Sequence, residues 1–258
     1  MEHGLPPSAP NTAPGGQALI DLLAQLDLLG QAPLHGAAAR PSLVDGLGRW
    51  LGWADAIPLS AALQAAPPAT LVPARDVPGV ARQAGQGVQR VRAALLRAID
   101  GPGAASPDSR YLRQSMTAAG AGTAAAVADF SPHRQRHGRL QQAMEAAITP
   151  LRAQLRATAA PLSPALSRLA ALDAVMAQRL GGREQALLAM MPSLLQRHFE
   201  RLHAAHLQAP AQPATWLARF QADMKRLLLA ELDLRLQPAW GLLCAINAHA
   251  GLPTPTST

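Results

Sequence analysis

The chain has 258 residues, 49% of them hydrophobic, which is enough for a sizeable core and excludes a disordered chain. Ala and Leu dominate that fraction while only 3% of residues are aromatic, so a large sheet is excluded and helices are favoured. The formal charge of +7 makes nucleic acid or an anionic surface a partner class to weigh, and the single cysteine, Cys244, excludes an intramolecular disulfide or a clustered thiolate metal site and fits a reducing, cytoplasmic setting.

Residues 1–16, rich in Pro, Gly, Ser and Asn, read as a disordered arm, and they lack the basic-then-apolar order of a secretory leader. Leu19, Leu22, Leu23, Leu26 and Leu29 then recur at helical spacing until Gly30 and Pro33. A second helical block is expected from Ser42 through Leu47, Trp50, Leu51 and Trp53, continuing beyond Pro58 over Ser60 to Gln64. Residues 56–74 are uncharged, but Pro58, Pro67, Pro68 and Pro73 interrupt them, so no membrane span is expected.

After a proline-rich crossing over 66–78, helix resumes near Val80, with Val88, Val91, Leu95, Leu96 and Ile99 as its stripe. This closes an N-terminal helical region over 17–100; residues 101–129, low in complexity, read as a flexible central linker. Residues 130–250 read as a long-helix bundle and 251–258 as a disordered tail.

Ser131-Pro132 predicts an N-cap with proline at the first helical position, followed by the stripe Leu140, Met144, Ala147, Ile148, Leu151 and Leu155 and a kink at Pro150. Ser163-Pro164 repeats the start signal, and Leu166, Leu169, Leu172, Met176 and Leu180 continue until Gly181 and Gly182. Arg183 to His206 carries Leu188, Met191, Leu195, Phe199 and Leu202, with a kink expected at Pro192. Trp216, Phe220, Met224, Leu227, Leu228 and Leu234 define the last helix. The expectation is an all-α, antiparallel bundle of about seven helices with proline kinks.

The charge is unevenly placed. Residues 1–60 hold two arginines against five carboxylates, whereas 131–160 hold Arg134, Arg136, Arg139, Arg152 and Arg156 against Glu145 alone. These five arginines are the candidate contact for an anion or nucleic acid, although aromatic interleaving and a helix-turn-helix or zinc-finger pattern are missing.

Other chemistry is incomplete. His133 and His137 have metal-ligand spacing, yet arginines surround them and no carboxylate or thiolate completes a set; a solvated basic helix end is expected. His198, His203 and His206 near Glu200 lack the spacing of a zinc hydrolase and are expected as surface histidines at a helix end. Gly85 with Gly87, and Gly120 with Gly122, lack the Gly-Lys-Ser/Thr of a phosphate loop. No metal, cofactor or catalytic residue is expected. Trp50 and Trp216 lie with apolar stripes and are expected in the core, whereas Trp53 and Trp240 are the candidate interface anchors.

The segments WLGWADAIPLSAAL (50–63), DFSPHRQRHGRLQQAMEAAITPLR (129–152), SPALSRLAALDAVMAQRL (163–180) and LLLAELDLRLQP (227–238) resemble an uncharacterised bacterial domain-of-unknown-function family, from about residue 17 to about 247. The resemblance carries no activity and no catalytic residues. It implies gene neighbourhood with envelope proteins that look like stator subunits and peptidoglycan-binding domains, hence a cytoplasmic accessory to an envelope complex. The functional expectation is a non-enzymatic helical interaction protein, binding a protein partner or a second copy through leucine-rich faces; the alternative is a nucleic-acid-associated factor using the arginine face.

Overall fold

A computed structural model describes residues 15–26, 53–64, 73, 75–101, 129–208 and 215–253. Among them are seven helices: α1 (Gly15–Gln25), α2 (Trp53–Gln64), α3 (Val77–Asp100), α4 (Ser131–Ala159), α5 (Pro164–Leu188), α6 (Met191–Gln208) and α7 (Thr215–His249), with no strand. The all-α bundle expected from Ala and Leu is what forms.

Pair contacts fix the helix directions. Lys225 of α7 meets Asp100 at the end of α3 at 2.7 Å, while Gly85 near the start of α3 faces Leu243, so α3 and α7 are antiparallel. Along α4, Arg152 meets Asp173, Gln141 reaches the Leu188 carbonyl and Arg134 reaches Gln196. The α5 and α6 helices therefore run in succession against α4 as one interrupted rod. Gln141 and Glu145 of α4 meet Glu231 and Arg235 of α7 in the same order, so these two run parallel. That is the geometry of diagonal partners in an up-down bundle of α3, α4, α5–α6 and α7.

The core follows the stripes. On α4 the buried side chains are His137, Leu140, Met144, Ile148, Leu151, Leu155 and Ala159, spaced three or four apart on one face. They pack with Val88, Leu95 and Ile99 of α3, Leu195 and Phe199 of α6, and Phe220, Met224, Leu227, Leu228, Leu232, Leu236, Leu243 and Ile246 of α7. Leu19, Leu22 and Leu23 of α1, with Leu26 just past its end, join this same core, and α1 packs on α7. On α5 only Leu166, Ala170 and Leu188 are buried, and α2, which packs on α5, buries Ala62 but exposes Ile57 and Leu63.

Several punctuation marks act differently from expectation. Ser163 caps α5 as its sequence implies, with its hydroxyl accepting the Leu166 N–H at 3.2 Å. Ser131 does not cap α4: it is the first helical residue, and its N–H donates to the Asp129 carboxylate at 2.8 Å. Gly181 and Gly182 do not end α5, which runs on to Leu188 because later apolar residues still have a core to enter. The rod breaks instead at Ala189–Met190, and Pro192 lies in the first turn of α6, where its missing N–H removes no ladder bond. The α3 helix starts at Val77, so Pro78 belongs to its first turn, and α7 continues past Leu234 through Pro238 to His249. Residues 1–14 of the expected arm, the 42–52 block with Trp50, and nearly all of the central linker fall outside the described residues, whereas Gly15 and Gly16, expected in the arm, open α1.

Candidate functional site

Two features distinguish the interior from a plain apolar bundle: a charged seam between α4, α5 and α7, and an aromatic–histidine cluster at one end. On α4 the residues His137, Gln141, Glu145, Arg152 and Arg156 fall close to one face. Glu231 and Arg235, one turn apart on α7, meet them. Glu231 is fully buried, and Gln141 Nε2 donates to its Oε1 at 3.0 Å and its Oε2 at 3.2 Å. Arg235 donates to Glu231 Oε1 from Nε at 3.0 Å and Nη2 at 2.9 Å, and from Nη1 to Glu145 at 2.9 Å. Burial raises the Glu231 carboxyl above the usual carboxylate range, against the pull of Arg235 and Gln141.

His137 completes the seam without a hydrogen bond. Its ring is fully buried, Nε2 stands 3.7 Å from Glu231, and both ring nitrogens are unpaired. Burial pushes this imidazole down to about 4, so it is neutral beside the carboxylate at neutral pH. The expected solvated basic helix end is thus corrected at its centre. His133 is also half-buried, between Phe199 at 5.7 Å and Phe220 at 5.1 Å, and burial lowers its pKa. The apolar stripe of α4 extends one turn further towards its N-terminus than the leucines alone indicate.

The structure divides the five candidate arginines. Arg152 binds Asp173 of α5 at 2.8 and 2.6 Å, and Arg156 shares the same carboxylate at 3.1 Å. Arg136 donates to the carbonyls of Ile99 at 2.9 Å and Gly101 at 3.0 Å, closing the C-terminus of α3. Arg134 lies over the Phe130 ring and donates to Gln196, and Arg139 is exposed. Of the tryptophan anchors, Trp240 is half-buried against the core; the side chain of Trp53, at the start of α2, is outside the described set.

At the other feature, all three phenylalanines of the chain converge. Phe130, Phe199 and Phe220 have ring centroids 5.0–6.1 Å apart. Trp216 extends the cluster towards solvent, with Phe199 at 5.2 Å, His203 at 5.2 Å and His206 stacked at 6.1 Å, so it is half-buried at the edge of the core rather than inside it. His198 is not a surface residue: it is buried, its Nε2 lies 3.0 Å from Asp223, and its Nδ1 accepts from Arg201 at 3.0 Å. Because a guanidinium only donates, this fixes the Nε2–H tautomer, whose N–H donates to the Asp223 carboxylate. Arg201 also donates to the Leu26 carbonyl, tying α1 to this end.

An imidazole oriented by a carboxylate is one half of a nucleophile-activating arrangement. Here the other ring nitrogen accepts from the Arg201 guanidinium, and the pair links α6 to α7. Among the described residues, no group of three His, Cys, Asp or Glu side chains is placed to hold a metal ion.

The partners Asp173, Glu184, Asp223, Glu231 and Arg235 were absent from the sequence-based site. For two of them a signal existed: Glu231 and Arg235 stand four apart within LAELDLRLQP, and they meet Gln141 and Glu145 of QQAMEAAI. These are two stretches on which the family resemblance rests.

A family model described as a protein of unknown function matches residues 7–248. No curated protein and no solved structure matches the chain.

Proposed function

The chain belongs to that family, DUF3348, and from this premise we propose that it is a non-enzymatic helical interaction protein whose partner engages the aromatic–histidine end of the bundle. The observation that carries the reading is Trp216, half-exposed between His203 and His206, with the next residue along α6, Leu207, 69% exposed. A tryptophan held rigid by a packed aromatic base and rimmed by polar rings has the anatomy of a binding hot spot. The leucine stripes of α4, α6 and α7 are buried within the chain, which directs the partner surface to this end and away from those stripes.

The role is that of a cytoplasmic protein serving an envelope complex, as the resemblance implies; among the described residues, no helix is long and apolar enough to cross a membrane. The test is affinity capture from the native cell with wild type, Trp216→Ala and Leu207→Asp in parallel, together with sedimentation of the purified chain. Loss of one specific partner, or of self-association, in both folded variants is the expected result. Identical captures with a monomer throughout would remove the proposal.

Nucleic-acid association is the second reading, favoured by the exposure of Arg134 and Arg139 on α4. It ranks lower because Arg136, Arg152 and Arg156 already have carbonyl or carboxylate acceptors within the fold. Binding that falls steeply with salt and weakens in Arg134→Ala and Arg139→Ala would reverse that order.

A further inference from the structure

The seam opens outward into a cleft of about 200 Å³ between α4, α5 and α7, lined by Glu145, Arg152, Arg156, Gly181, Glu184 and Arg235. Its charges are segregated. At one end two guanidiniums, Arg152 and Arg156, share the single carboxylate of Asp173, which leaves an excess positive charge. Arg152 Nη1 and Arg156 Nη2 are not engaged by that carboxylate. At the other end one guanidinium, Arg235, lies among Glu231, Glu145 and Glu184, which leaves an excess of negative charge.

Glu184 is the unusual member. It is half-buried and, among the described residues, makes no hydrogen bond, although Arg235 and Arg152 both act on it electrostatically. Burial raises its pKa against those two cations, with Glu145 adding to the rise. A carboxylate in this position gains from an ammonium group brought beside it. Asp173 and Glu184 stand three turns apart on α5, about 16 Å along the axis, and the long arginine and glutamate side chains shorten the gap between the two ends.

We propose that this cleft binds a small zwitterion, its carboxylate on the N–H groups of Arg152 and Arg156 that Asp173 does not engage and its ammonium on Glu184 and Glu145. A lone anion would meet the carboxylates at one end, and a lone cation the guanidinium pair at the other. A molecule carrying both charges satisfies the two ends together, and Arg152 and Arg156 are already oriented by the Asp173 carboxylate they share, so little ordering remains to be done on binding.

Calorimetric titration of the full chain with 6-aminohexanoate, hexylamine and hexanoate tests this, because the three probes share a carbon chain and differ in charge. Gly181 supplies the control variant: it lines the cleft and a Cβ there has nothing within 4 Å, so Gly181→Leu adds bulk at the cleft without replacing a charged residue. The expected result is saturable binding of 6-aminohexanoate, roughly tenfold or more tighter than either singly charged probe. Binding is lost in Gly181→Leu with the helical circular dichroism intact, and weakened by roughly tenfold in Arg156→Gln. No saturable binding of 6-aminohexanoate, equal affinity for hexylamine or hexanoate, or undiminished binding in folded Gly181→Leu would each overturn the proposal.

Discussion

Arg235 holds Glu231, one turn earlier on the same helix, through two N–H groups at 3.0 and 2.9 Å, and the carboxylate it holds has no exposure to solvent. A buried carboxylate is tolerable only while its partners are in place, because its desolvation is offset by charge and hydrogen bonds together. Among the described residues, Gln141 is the one other group that donates to it, so the clamp rests on one cation and one amide.

Removing the cation strands the anion. Arg235→Ala is expected to cost about 3–5 kcal/mol in urea unfolding, whereas Glu231→Gln, which removes the charge and keeps the shape, costs clearly less. Replacing both by leucine recovers much of the single-variant loss. Equal losses in Arg235→Ala and Glu231→Gln would show that the pair is a packing element and not an electrostatic one.

His137 makes the same seam sensitive to acid. Its folded pKa of about 4 lies below the unfolded value of 6.5, so the native state binds fewer protons between the two. The stabilising contribution is complete above pH 6.5 and falls as pH drops towards 4, with a slope of roughly 1.4 kcal/mol per pH unit for one proton. Glu231 has a raised pKa and acts in the opposite direction, its contribution being lost as pH rises through its folded pKa. His137→Met removes two unpaired buried nitrogens and conserves much of the bulk. The variant is expected to be at least as stable as wild type at pH 5 and to show a flatter profile between pH 6.5 and 4, read from urea midpoints. An unchanged profile would contradict this assignment.

Helices were legible in this sequence wherever a leucine stripe had a core to enter. The stripe Leu140, Met144, Ile148, Leu151 and Leu155 is buried as its spacing implies, and Ser163-Pro164 starts a helix as its chemistry implies. Glycine and proline were weaker guides, because packing overrides local propensity: α5 passes through Gly181 and Gly182, α7 passes through Pro238, and the break falls at Ala189–Met190. The site was less legible. Arg152 and Arg156 carry no mark of Asp173 seventeen or more residues away, and the burial of His137 is set by α7, which is remote in sequence. His133 looks polar in one dimension and is half-buried because Phe199 and Phe220 pack against it.

The two serine-proline pairs give a matched comparison. Ser163→Ala removes an acceptor for the Leu166 N–H and is expected to cost about 1 kcal/mol. Ser131→Ala removes no cap, since the acceptor there is Asp129, and is expected to change stability by less than about 0.5 kcal/mol. Thermal or urea melts of the two variants side by side decide the matter; a larger loss at Ser131 than at Ser163 would reverse the assignment.

The α1 helix has eleven residues, too few to be stable alone in water, so its helicity depends on what it packs against. Its three buried leucines and Leu26 just beyond it join the core, and burial of each stabilises the docked state by roughly 1.5–3 kcal/mol before ordering entropy is charged against it. Its C-terminal end is held by Arg201 at the Leu26 carbonyl and by Arg226 at Gln25, at 3.1 Å. An element joined to the core along one face opens before the core does. Amide exchange in α1 is therefore expected to exceed that of α4 and α7. Leu23→Asp should release α1 to full exchange while the α4 and α7 amides stay protected, because Met144, Leu227 and Leu232 retain their mutual packing. Arg201→Ala should loosen the Leu26 end first, since it removes a donor to that carbonyl and to His198 together. If α1, α4 and α7 lose protection together in Leu23→Asp, then α1 is part of the cooperative core and its docking cannot be separated from folding.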